Sequence, residues 1–222
     1  MIFYICLFIP KQRMMNMKRI LLTFGLSCML GLAFAQTAKI EAIRNRYSEF
    51  MQMYDDGFLT PVTISLSVNR PAIGPQMTEA LFYWNDMMSE SYEAVNDAGD
   101  VDYVIRRELY LIKTSYNIAA SVQTTIEYLY DSTGAPVFCF FAERSEIITE
   151  IRFYFDKDQL IKYIYREYAL NEEGEKGDQQ KEVMMEKNFD KDILQKSQHY
   201  YKQAVKLKEY WTLAFGIEGL RD

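Results

Sequence analysis

Histidine and cysteine are nearly missing from this chain. One His and three Cys among 222 residues exclude most metal centres, disulfide frameworks and Cys/His catalytic sets. Ten Gly and five Pro exclude collagen-like and low-complexity classes. No G-x-S-x-G is present, so there is no nucleophile elbow, and no Gly-rich loop could cradle a phosphate. With 49% hydrophobic and 25% charged residues, the chain is too apolar to be disordered and too charged to be a membrane bundle.

What is present begins with a leader. Residues 17–35 (MKRILLTFGLSCMLGLAFA) run from a basic start at Lys18 and Arg19, through an apolar core, to Ala33-Phe34-Ala35. This is the order of a signal peptide with an A-x-A cleavage site, and the core is shorter than the roughly 20 residues a bilayer span needs. Met17 is the expected true start, residues 1–35 the leader, and Gln36 the first mature residue. The alternative is a lipoprotein acylated at Cys28, which follows Gly25-Leu26-Ser27. The leader carries Lys11, Arg13, Lys18 and Arg19 and no acid, so its removal takes the net charge from −6 to −10. Such a surface argues against nucleic acid or anionic lipid as partner. Cys139 becomes the sole thiol, and no intrachain disulfide can form.

Residues 36–222 read as a single α+β domain. Ile40, Ile43, Tyr47, Phe50 and Tyr54 recur at three- and four-residue spacing, which predicts an amphipathic helix over 37–56 with Thr37 able to cap it and Gly57 ending it. Val62, Ile64, Leu66 and Val68 alternate with polar residues and predict a half-buried strand. A short strand is expected over Ala80–Trp84, then a long acidic loop over 85–103. From Arg106 to Tyr168 the pattern is an antiparallel β-meander. A three-residue loop around Gly134 sets Tyr128 opposite Phe138 and Ile126 opposite Phe140. A two-residue turn at Ser145-Glu146 sets Phe140 opposite Ile151 and Phe138 opposite Phe153. A three-residue loop over 157–159 sets Phe155 opposite Ile161, Phe153 opposite Tyr163 and Ile151 opposite Tyr165. Residues 171–182 read as a solvated loop, and 183–188 as strand or helix. A second amphipathic helix is expected from Asp190 to Phe215, with Ile193, Tyr200, Ala204, Leu207 and Trp211 on one stripe. Both helices are expected to cover one face of the sheet.

The Ala-Phe-Ala leader end, Asn69-Arg70-Pro71-Ala72-Ile73-Gly74-Pro75, Phe82-Tyr83-Trp84 and Glu150-Ile151-Arg152-Phe153-Tyr154-Phe155-Asp156 together resemble a family of exported proteins of Bacteroides-type Gram-negative bacteria. The resemblance implies an envelope or secreted location and brings no activity or functional residue with it.

Few residues carry candidate chemistry. His199 stands alone in a helix, where a packed or surface imidazole is the plain reading. Asp97, Asp100 and Asp102 share a Gly-containing stretch, but NDAGDVD lacks the glycine and distal glutamate positions of an EF-hand. Cys139 sits between Phe138 and Phe140 with no base nearby, the setting of an inert buried thiol. In the derived register Glu127, Cys139, Arg152 and Ile164 form one row on the outer sheet face, and Thr125, Phe141, Glu150 and Arg166 the next. Glu127 and Glu150 could flank a sugar as glycoside hydrolysis requires. Cross-strand ion pairs with Arg152 and Arg166 explain the same residues without chemistry. Leu129, Phe141 and Tyr154 would supply apolar contacts.

The expected function is therefore that of an exported, non-enzymatic binding or accessory domain for an envelope protein, peptide or glycan. Glu127, Phe141, Glu150, Arg152, Tyr154 and Arg166 are its candidate ligand contacts, with no cofactor, metal or catalytic residue. The alternative is a glycan-directed acid/base hydrolase using the carboxylate pair. Protein purified from its host should begin at Gln36 by intact-mass spectrometry. A lipid mass on Cys28 would instead establish the lipoprotein.

Overall fold

A computed structural model describes residues 35–70, 74–95, 101–117 and 122–215. The leader expected over 17–35 lies outside these residues except for Ala35. Of the described residues, 35–41 fall in one unit and those from Ala42 onward in a second.

Helix α1 spans residues 35–55. Thr37 lies inside it rather than at its cap. Its end is a left-handed Gly57 (φ 73°), with Gly57 N donating to Tyr54 O at 3.1 Å and Phe58 N to Met53 O at 2.9 Å. This paired closure satisfies carbonyls that the last turn leaves open.

Eight strands follow: β1 Thr60–Arg70, β2 Gly74–Val95, β3 Val101–Asn117, β4 Gln123–Tyr130, β5 Pro136–Arg144, β6 Ile147–Asp156, β7 Gln159–Leu170 and β8 Lys176–Met185. They form one antiparallel sheet in sequence order. The fold is thus α+β, a β-meander with a helix at each end, as the patterning predicts. Helix α2 spans Lys191–Phe215, capped by the Asp190 carboxylate, which accepts from Ile193 N at 2.8 Å. Among the described residues no helix is long and apolar enough to cross a membrane.

Two segments expected as loops are strands. Residues 85–95 and 101–103 continue β2 and β3, with Tyr92 opposite Val104 and Val95 opposite Val101. Among the described residues they pair only with each other, because β1 reaches no farther than Trp84 and β4 no farther than Leu111. Residues 176–182 belong to β8. Its entry turn, Asn171-Glu172-Glu173-Gly174-Glu175, repeats the chemistry of Asp131-Ser132-Thr133-Gly134-Ala135. In both, a side-chain oxygen of the first residue accepts from the backbone N–H groups two and four residues on, and the glycine is left-handed (φ 75° and 74°).

Strand β5 departs from the expected register. Tyr130 pairs with Pro136, but Leu129 pairs with Phe138, so Val137 is skipped in a bulge. Pro136 has no N–H to continue the ladder, and a bulge is where a strand tolerates that loss. At the other end Arg144 pairs with Ile148, and Ser145 N donates to Ile147 O at 3.0 Å, so the turn holds three residues rather than two. Each shift is one residue, and a one-residue shift exchanges the faces of a strand. Phe138 and Phe140 therefore lie on the opposite face from Ile151 and Phe153, and Cys139 and Phe141 trade places with them. Relative to each other β4 and β6 keep the expected register, because the two shifts cancel. The β6–β7 turn is also tighter than expected, with Asp156 opposite Gln159 and Phe155 opposite Leu160. A bulge at Tyr154/Phe155 then restores Phe153 opposite Tyr163.

Both sheet faces bury apolar side chains, and the two helices take opposite faces rather than sharing one. Against α2 lie Phe82, Ile112, Tyr128, Tyr130, Cys139, Phe153 and Phe155. Tyr200 packs between Phe141 and Phe153 (5.9 and 5.5 Å), Tyr201 on Phe155 (5.2 Å) and Trp211 on Trp84 (6.3 Å). The hydroxyls of Tyr128 and Tyr130 donate to Gln203 Oε1 and Ala204 O, each at 2.8 Å. On the other face α1 places Tyr47 on Phe138 (5.9 Å) and Phe50 on Tyr83 (5.5 Å), and Arg46 stacks over the Tyr110 ring at 3.6 Å.

Phe153 is fully buried. Phe153→Ala should cost about 3–5 kcal/mol, seen as a lower urea midpoint at unchanged slope. Burial pushes the Cys139 thiol well up. A disulfide reagent at mildly alkaline pH should leave Cys139 unmodified in the native protein and label it after unfolding, as peptide mapping would show.

Candidate functional site

The face beneath α1 is where charged and aromatic side chains converge. Three rows cross it. Leu111, Leu129, Phe138, Tyr154 and Lys162 form the first, and Lys113, Glu127, Phe140, Arg152 and Ile164 the second. The third holds Thr125, Ala142, Glu150, Arg166 and Glu182. Of the expected rows, Glu127, Arg152 and Ile164 stay together, as do Thr125, Glu150 and Arg166. Cys139 and Phe141 leave for the α2 face, and Phe140 and Ala142 replace them. Phe141 packs on Tyr200 there and lines a groove beside α2 of about 670 Å3.

A pocket of about 280 Å3 opens between α1 and this face, lined by Ile43, Arg44, Tyr47, Ser48, Phe138, Phe140, Arg152 and Tyr154. Helical spacing puts Arg44, Tyr47 and Ser48 on neighbouring positions of α1, where three and four residues make one side of a helix. The aromatic walls are mutually braced, with Phe138 edge-on to both Tyr47 (5.9 Å) and Tyr154 (5.0 Å). Tyr154 is buried, only 6% exposed.

The charged groups on the sheet side of the pocket are fixed by ion pairs. Glu150, 8% exposed at its side chain, takes Arg152 on Oε2 at 2.9 Å and Lys176 on Oε1. Arg152 lies with its Cζ 5.2 Å from the Phe140 ring centroid, a cation–π placement. Glu127 accepts the Tyr47 hydroxyl on Oε2 at 2.9 Å and faces Lys113 through Oε1 at 3.4 Å. All four oxygens of the two candidate carboxylates are thereby engaged. Arg166 pairs with Glu182 at 2.7 Å, not with Glu150. Of the expected contacts, then, Arg152 and Tyr154 line the pocket, Glu127 and Glu150 anchor its walls, Arg166 stands to one side, and Phe141 is on the other face.

The α1 contributors and the β5 pair Phe138 and Phe140 were absent from the sequence-derived set. Tyr47 was visible there only as a core-stripe residue. Arg44, one helical turn from Tyr47, had no pattern to mark it. The calcium candidates Asp97 and Asp100 lie outside the described residues. Among the described residues no three His, Cys, Asp or Glu side chains are placed to share a metal. Comparison with protein-family models, curated proteins and solved structures finds no match.

Burial holds the phenol of Tyr47 above its ordinary range, with the Glu127 charge adding to it. Burial likewise raises Tyr83, Tyr110, Tyr128, Tyr130, Tyr163, Tyr200 and Tyr201. Each folded-state value lies above the unfolded value of about 10. Their contribution to stability is complete below that pH and is lost as pH rises through the raised values, because the unfolded chain ionises first. Phenolate absorbance should therefore show a group of tyrosines that titrate only together with alkaline unfolding. Tyr47→Phe should remove one charge-assisted hydrogen bond, about 1.5–3 kcal/mol, and lower the urea midpoint while the other buried tyrosines still titrate with unfolding.

Proposed function

We propose that this chain acts by binding, as an exported, non-enzymatic domain of the cell envelope or its exterior, with the pocket under α1 as its ligand site. Export rests on the basic start, apolar core and A-x-A end of residues 17–35 and on the resemblance to exported Bacteroides-type proteins.

One observation carries the binding reading: aromatic walls and two arginines converge on a concavity whose nearby carboxylates are already consumed by ion pairs. A few placed polar groups in a mainly apolar pocket are what ligand recognition needs. Hydrolysis of a glycoside needs two carboxyl groups free to address the scissile bond from either side. Here Glu127 is held by Tyr47 and Lys113, and Glu150 by Arg152 and Lys176, which favours a structural role for both. A protein, peptide or glycan presenting a compact group could enter the pocket, while the sheet supplies a rigid floor.

An NMR titration of the purified protein with short peptides, oligosaccharides and small organic acids tests this. Shifts at Tyr47, Phe138, Phe140 and Tyr154, weakened by Phe138→Ala, are expected. Shifts confined to the α2 face, or glycosidase activity abolished by Glu127→Gln and Glu150→Gln, would overturn it.

A further inference from the structure

The pocket under α1 carries an excess of positive charge in a chain that is acidic as a whole. Around it Lys113, Arg152 and Lys176 face only Glu127 and Glu150. Arg44 adds a fourth cation at the rim, and among the described residues its guanidinium has no ion pair or hydrogen bond. The chain's formal charge is −6. A local field of opposite sign to the whole molecule selects for an anion at this one place.

The arginines approach from different walls, Arg44 from α1 and Arg152 from β6. Arg152 spends one guanidinium nitrogen on Glu150, and its fork leaves other N–H donors for a planar acceptor. Because Glu150 is also held by Lys176, the Arg152 charge is only partly neutralised. Beside these donors stand Ile43, Phe138, Phe140 and Tyr154, a surface that a bare inorganic anion would leave unfilled. An apolar cavity of about 150 Å3 accommodates a benzene ring. A pocket of about 280 Å3 has room for one ring, a short spacer and a charged head.

From this we infer that the pocket takes a small arylalkyl carboxylic acid, its ring against Phe138 and Tyr154 and its carboxylate between Arg44 and Arg152. The inference rests on the binding reading above and deepens it. Arg44 and Arg152 set the charge selectivity; the aromatic walls set the preference for a ring.

Calorimetric titration of the full chain with 3-phenylpropionate, its neutral amide and inorganic phosphate tests this directly. The acid should bind. The amide should bind about tenfold more weakly or worse, the loss expected for a charge-assisted hydrogen bond. Phosphate should not compete. Arg152→Met and Arg44→Met should each weaken the acid several-fold and more than they weaken the amide. Arg44 is exposed and unpaired, so its variant folds whatever the fate of Arg152→Met, and circular dichroism checks both. Equal binding of acid and amide, competition by phosphate, or indifference to both substitutions would overturn the inference while leaving a binding pocket in place. No binding of the acid at all also overturns it, and the peptide and oligosaccharide titration then decides the broader reading separately.

Discussion

Pro136 cannot donate a backbone hydrogen bond, and the ladder between β4 and β5 resumes only after Val137 has been passed over. The rest of this architecture depends on that one skipped residue. It turns Phe138 and Phe140 toward α1 and Cys139 and Phe141 toward α2. The three-residue turn at the far end of β5 then returns β6 to register with β4. The result is a sheet whose central strand offers large aromatic groups to both sides. Without the offset, Phe138 and Phe140 would join Phe153 beneath α2, and Tyr47 would lose its ring contact with Phe138.

A sheet with two apolar faces needs two covers. Leu109 to Ile112, Tyr128 to Tyr130 and Phe153 to Phe155 are buried at every successive position, which a sheet with one wet face does not allow. The helices supply the covers, each with a stripe at helical spacing, and tyrosine is the residue that makes this workable. Its ring fills the core while its hydroxyl reaches an acceptor at the rim of the layer, as Tyr128 and Tyr130 do on α2 and Tyr47 does on Glu127. The same burial disfavours the phenolate, which ties the fold to pH values below the tyrosine range.

Charge on the α1 face follows from the same geometry. A carboxylate as enclosed as Glu150 is tolerated only with partners, and it has two. Those partners are also what make the surroundings of the pocket cationic, so the ion pairs that permit burial set the electrostatic character of the concavity beside them. Arg152 belongs to both roles. It neutralises Glu150 and presents its remaining donors over Phe140.

The amino-acid order alone determined the fold class, the stripe and extent of α2, the left-handed Gly57 and Gly134, strand β1 and the relative register of β4 and β6. Each of these depends on local chemistry or on a period within one element. It did not reveal the polar ribbon of residues 85–95 and 101–103 or the edge strand β8. Pairing there runs through backbone groups, and an edge need not alternate. The unbroken Tyr-Leu-Tyr and Phe-Tyr-Phe runs are the local sign of two-sided burial, which strict alternation does not express. Only the tertiary structure decided which way β5 faces, which helix covers which face, and that Arg44 and Arg152 line one pocket. Those outcomes turn on a single bulge and on contacts between residues about a hundred positions apart, and no local periodicity records either.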